Sequence, residues 1–184
     1  MQYYTDVAVP LEGPLRSAAE FALEMEVEHL RTVSQQDWRE IRTKLRSRLA
    51  PEVFDATFTP VIYPETGGLT FRAIDAKAVG EGVVKVTMCQ YNVPGVWTLK
   101  DGQILTPGLP RPGGLEQYLL FYQTVVWTDG PAMDGSVPPG PRWLQAISPT
   151  KPQADQKAVC EPFRPEPYVQ KMPDPTTPTS TPTR

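Results

Sequence analysis

Glu26 and His29 are two chemically capable side chains set three residues apart on a stretch whose pattern is helical, and a 100° wheel places both within about 40° of the centre of its apolar face. A carboxylate or an imidazole left unpaired on a core-facing stripe is costly. Three readings stay open. The pair can line a polar pocket, with His29 as general acid or base near neutral pH and Glu26 orienting it. It can be a buried structural pair in which each group satisfies the other, or a contact at a subunit interface. None of these assigns a catalytic residue.

Cys89 and Cys160 are the two cysteines. Cys89 falls in a β-branched run that predicts a central strand, and Cys160 stands just past the last predicted strand, where the chain becomes proline-rich. A disulfide between them would pin the C-terminal strap to the sheet. Closing that loop contributes roughly 4 kcal/mol in the chain-entropy model. Such a bridge belongs to an oxidising compartment and so to an extracytoplasmic or secreted protein. The first residues show no basic patch ahead of an apolar run, so no signal peptide is read there. Met1 then either starts a trimmed chain or a protein kept in the cytoplasm or in a virion.

Most other chemistry is excluded by composition. One His and two Cys cannot supply a four-ligand zinc site. No phosphate-binding glycine loop, HExxH or GxSxG is present, and Asn92 is followed by Val93 and Pro94, which is no glycosylation acceptor. No metal and no cofactor is expected. Arg39, Arg42 and Arg46 share one helical face and form either an anion patch or a solvated face. The net charge of −3 favours the solvated face and argues against nucleic acid as a partner. Trp38, Trp97, Trp127 and Trp143 all fall in predicted elements, as core or rim residues rather than a ligand stack. No run of 18 apolar residues exists to span a membrane.

The elements that must position these residues follow from the pattern. With 22 prolines in 184 residues and 40% hydrophobic residues, a packed core is expected where the prolines are sparse. Residues 1–14 read as an N-terminal arm. Ser17 with Glu20 makes a capping box ahead of a first helix that runs to Val33. Trp38, Ile41, Leu45 and Leu49 stripe a second helix over residues 36–49, and Pro51 opens a short third through Phe58. Strands follow at Leu69–Val79 and Val83–Tyr91 around a Gly80–Gly82 turn, then at Val96–Leu99 and Gln103–Thr106 around Asp101-Gly102. A strand from Leu115 to Trp127, the longest, and one from Arg142 to Ile147 flank a Gly/Pro-rich excursion at Asp129–Pro141. The expectation is an α+β domain over residues 15–160, with three N-terminal helices on a curved antiparallel sheet of five to six strands. Residues 161–172 form a proline-rich strap. The Pro/Thr-rich segment 173–184 reads as a disordered tail suited to tethering.

Segments 18–33, 38–49 and 51–58 as helices, followed by the meander containing Val83–Tyr91 and Arg142–Ile147, resemble the superfamily of nuclear transport factor two, ketosteroid isomerase and scytalone dehydratase. The chain is similar in particular to exported actinobacterial members of that group. The matching pieces are Val84-Lys-Val-Thr-Met-Cys89, Trp97-Thr-Leu-Lys-Asp-Gly102, Arg142-Trp-Leu144 and the late Cys160. The resemblance implies a cone-like fold whose interior is a ligand pocket or is filled, frequent dimers, and many members without catalysis. The Asp and Tyr that the isomerases use have no matching motif here, and the Asp129–Pro141 insertion departs from the pattern. The function expected is a non-enzymatic accessory or interaction domain of an extracytoplasmic or cell-envelope setting, with a protein or a second copy as partner. The alternatives are a small-ligand-binding or isomerase-like pocket protein, and a structural component of a larger, viral-type assembly.

Overall fold

Strand β1, Gln2–Val7, lies alongside β2, Glu65–Gly80, in parallel, from Gln2↔Gly68 to Val7↔Ala73. The segment read as an arm is therefore part of the sheet. The computed structural model describes residues 1–34, 43, 45–53, 65–100, 103–107, 118–150 and 154–167. Among these, β3 (Val83–Lys100), β4 (Gln103–Pro107), β5 (Tyr118–Thr128) and β6 (Arg142–Thr150) complete a six-stranded sheet in the order β1-β2-β3-β5-β6. β4 pairs with the far half of β3, and every contact except β1–β2 is antiparallel. The sheet is mixed rather than a pure meander because β1 joins it in parallel, and the sequence hid that strand: six residues with mostly polar, exposed side chains carry no alternation.

The turn at Glu81–Gly82 forms as the sequence predicts, with Gly82 at φ +65°. β3 outruns its prediction and is the longest strand. It continues through Pro94 because pairing with β2 lapses there, between Thr70↔Tyr91 and Gly68↔Gly95, and a proline fits a strand where no ladder hydrogen bond is required. Only glycine suits position 67, where φ is +102° and a Cβ would lie 2.0 Å from the Gly95 carbonyl oxygen. Three register shifts along β2 bend the pair, and the whole sheet curls strongly, into a half-barrel.

Helix α1, Gly13–Ser34, fills the concave side. Its Ala18, Ala19, Ala22, Leu23 and Val27 pack against Phe71, Ala73, Val86, Phe121 and Trp143 of the sheet. The three alanines let the backbone approach closely. Arg16 with Glu20, and Glu28 with Arg31, form exposed pairs along its outer side, each contributing about 0.3–0.5 kcal/mol. The helix begins four residues before the expected Ser17 cap, with Pro14 in the first turn, where its missing N–H costs nothing. Ser17 instead binds the sheet, its Oγ accepting the indole N–H of Trp143 at 2.9 Å.

The expectation of three N-terminal helices is corrected. Of the second, Thr43, Leu45 and Arg46 are helical, while residues 35–42 lie outside the described residues. In place of the third stands a 3₁₀ turn at Pro51–Val53, with residues 54–58 outside the described residues. The reason is competition from the sheet. Ala50 N donates to Gln145 O, and Gln145 N to Arg48 O, so the backbone is already extended along the edge of β6 when Pro51 is reached. Leu45 and Leu49 then cover Met25 of α1, and Arg48 clasps Glu24 through two hydrogen bonds of 2.9 and 2.8 Å.

A short helix that the sequence reading missed, α2, Gln156–Cys160, precedes a 3₁₀ turn at Glu161–Phe163. Asp155 caps it by accepting from the Ala158 N–H. The excursion between β5 and β6 is pinched shut by Ala132 N to Val137 O and Gly140 N to Asp129 O, both 2.9 Å, and carries Met133 to solvent. No helix among the described residues is long and apolar enough to cross a membrane. Residues 168–184, the end of the strap and the tail, lie outside the described residues.

Candidate functional site

The two sequence-chosen residue pairs lie on opposite faces of the sheet, Glu26 and His29 on α1 and the cysteines on β3 and α2. On the concave side, Glu26 projects from the alanine face of α1 and is only 9% exposed. Its Oε2 has no hydrogen-bond partner, so the mutual satisfaction of Glu26 and His29 is not made through this oxygen. Burial pushes the Glu26 carboxyl up to about 7 and pushes the half-buried His29 imidazole below its ordinary value. A carboxyl in such surroundings holds its proton near neutral pH and can both donate and accept.

Facing α1 from β5 is a residue that sequence reasoning missed. Gln123 shares a strand face with Phe121 and Val125, pairs with Val86 of β3, and is 1% exposed. Neither its amide nitrogen nor its amide oxygen has a hydrogen-bond partner. The signal was present, since Gln123 breaks the apolar side of Leu119–Val125. It was overlooked because one Gln in a strand reads as a solvent-facing position.

Counting along the chain sets the two orphaned groups about equally far from the Ser17–Trp143 contact. Trp143 ties Ser17 of α1 to the level of its cross-strand neighbour Trp127, which itself bonds to Gly82 at the β2–β3 turn. At the other end, Arg31 of α1 reaches the Tyr3 ring near the far end of β2. The helix therefore runs along the strands. From Ser17 to Glu26 it advances about 13 Å at roughly 1.5 Å per residue. From Trp127 back to Gln123, β5 covers about 13 Å at roughly 3.3 Å per residue. Buried polar groups without partners are rare in folded proteins and call for a ligand, a water or a functional role.

On the convex side, Cys89 and Cys160 form a disulfide. Both are fully buried among Ile74, Tyr91, Val93 and Leu120, under Val159 of α2 and Phe163 of the strap. Three hydrogen bonds support it. Tyr91 Oη donates to Cys160 O at 2.7 Å, Leu120 N to Gln156 Oε1 at 3.0 Å, and Arg72 Nη1 to Phe163 O at 2.9 Å. The path of this segment is thus fixed by the side chains of Arg72 on β2 and Tyr91 on β3 and by the Leu120 N–H of β5, as well as by the covalent bond.

The remaining sequence candidates scatter. Arg46 is half-buried, and Arg39, Arg42 and Trp38 lie outside the described residues. Trp143 belongs to the core, Trp97 is half-buried, and Trp127 sits at the rim, edge-on to Trp143 with ring centroids 5.0 Å apart. No group of three or more His, Cys, Asp or Glu side chains that could hold a metal occurs among the described residues. No family model, curated protein or solved structure matches the chain.

Proposed function

We propose that this chain is a non-catalytic accessory domain working in an oxidising, extracytoplasmic compartment, where it binds a partner while its Pro/Thr-rich tail acts as a spacer. The observation that carries the reading is the buried Cys89–Cys160 disulfide. Disulfides of this kind persist outside the reducing cytosol, and small exported domains rely on them. Membership of the superfamily named above is part of the same proposal, supported by the curled sheet closed over one long helix. The test is thiol trapping at the moment of lysis in the producing cell. Protein denatured in an alkylating agent at lysis, before any reduction, carries no label at either cysteine. Two labelled thiols would remove the compartment assignment.

A second reading has its own support in Glu26 and Gln123, two buried polar side chains with unpartnered atoms on α1 and β5, elements that share one core. They suit a small uncharged guest with an apolar frame and one hydrogen-bonding group, held between α1 and β5. Native mass spectrometry of protein from its own source then shows an adduct that is absent from Glu26→Leu and Gln123→Leu. All three proteins at their own sequence masses, with no adduct on any, leave the first reading alone.

A further inference from the structure

The two edges of the sheet differ. Along β6 the chain itself lies against the strand, with Ala50 N donating to Gln145 O and Gln145 N to Arg48 O. β1 is the other edge, and among the described residues no strand lies beyond it. Folded proteins blunt such an edge with Lys, with Pro, with a bulge or with a covering segment. Gln2–Val7 carries no Lys, Arg or Pro, and its register with β2 runs without a shift. The direction of its backbone groups follows from that register. Ala8 N donates to Ala73 O, and Ala73 is the register partner of Val7, so the even-numbered residues of β1 bond to β2. Alternate residues of a ladder face opposite ways. The N–H and C=O of Thr5 and Val7 therefore point away from the sheet.

We propose that β1 is a docking edge for a second copy of this chain, which adds its own β1 antiparallel about a two-fold axis at Thr5. The strand is complementary to itself in this register. Thr5 meets Thr5 of the second copy, and the two exchange N–H···O bonds in both directions. Tyr4 then stands opposite Asp6 of the second copy, in the closer kind of cross-strand pair. Tyr4 is 46% exposed and its hydroxyl donates to Gln2 Oε1, while the Asp6 side chain is 52% exposed and its contact to Arg72 Nε is long, at 3.5 Å. A phenol thus faces a carboxylate able to accept from it, twice per pair of copies. On the other face Val7 lies opposite Tyr3 of the second copy, and both side chains rest on the apolar core. Neighbouring registers lose this match. An axis at Asp6 sets two carboxylates face to face, which is destabilising. An axis at Tyr4 carries Val7 past Gln2, where the second copy's strand begins. The contact spans residues 3–7 on each side and belongs to the small, transient class, below about 1,200 Å².

Sedimentation equilibrium of the full chain, up to about 1 mM, gives a mass that climbs toward twice that of one chain. Thr5→Pro removes only an outward N–H, a change that an edge strand accepts. It keeps the melting temperature of dilute wild type and stays at the single-chain mass throughout. One added cysteine per chain reads the register without relying on that variant. Under mild oxidation Thr5→Cys gives a covalent dimer, because its two copies face each other with Cα atoms about 5.5 Å apart. Tyr4→Cys and Asp6→Cys, at positions that are also exposed, do not. A single-chain mass at every concentration, a dimer that survives Thr5→Pro, or cross-linking that favours position 4 or 6 would overturn the assignment.

Discussion

Replacing Cys89 and Cys160 together by alanine lowers the free energy of unfolding by about 4 kcal/mol, the loop-entropy value for the 71-residue separation the bond spans. The loss is a large fraction of the roughly 5–15 kcal/mol that stabilises most domains. Urea denaturation of the variant and wild type, each fitted to a two-state transition, measures it. The same variant shows where the bond acts. Val159 and Phe163 rest on Ile74, Tyr91 and Leu120 under the bond, so hydrogen-exchange protection falls first in α2 and over that cluster. Protection at α1 and Trp143, on the opposite face, follows the global change. A loss below about 1 kcal/mol would mean that the three hydrogen bonds from Tyr91, Leu120 and Arg72 hold the strap without the covalent link.

Glu26→Gln raises stability at pH 8 and leaves it nearly unchanged at pH 4. The folded carboxyl titrates at about 7, against an ordinary 4.5, because burial disfavours its charged form. Between those values the folded state keeps a proton that the unfolded state has released, so stability falls as pH rises from about 4.5 and levels off above about 7. The full difference is about 3 kcal/mol at about 1.4 kcal/mol per unit. Glutamine keeps the shape and has no charge to bury, so its gain at pH 8 is worth several degrees, at about 2–4 °C per kcal/mol. His29 titrates in the opposite sense: its lowered value takes stability away as pH falls below the ordinary imidazole range. That contribution is common to both proteins and cancels in their difference. Equal melting temperatures at pH 8 would show that the carboxylate has found a compensating partner.

What the sequence made legible was whatever rests on periodicity or on a turn residue. The alternation of Leu69–Val79 and of Val83–Tyr91 and the glycines at 80 and 82 gave the central hairpin. The position of Cys160 beyond the last strand was enough to bring it to Cys89. What escaped reading depends on contacts distant in the chain. β1 has no pattern of its own and exists because β2 has an open edge. The third helix was lost to the edge of β6, which draws Arg48–Ala50 into pairing with Gln145. Ser17 looked like a cap and serves instead as the acceptor for an indole more than a hundred residues away. Within the candidate site, Glu26 was found because helical wheels expose a polar residue on an apolar face. Gln123 was not, because the identity of the buried face of a strand depends on which neighbour covers it.

The disulfide also sets how this domain answers a mechanical pull. A force applied between the N-terminus and the strap loads β1 at once, and its parallel partner β2 must shear along the whole Gln2–Val7 register before extension begins. Past that point the chain ahead of Cys89 can lengthen, but the 71-residue interval to Cys160 is bypassed by the S–S bond. At about 3.3–3.6 Å per residue, that interval withholds roughly 240 Å of contour length. Under tension β5, β6 and the pinched loop between them stay slack while the ends are drawn apart, so the extension is confined to the chain ahead of Cys89 until a reductant opens the bond.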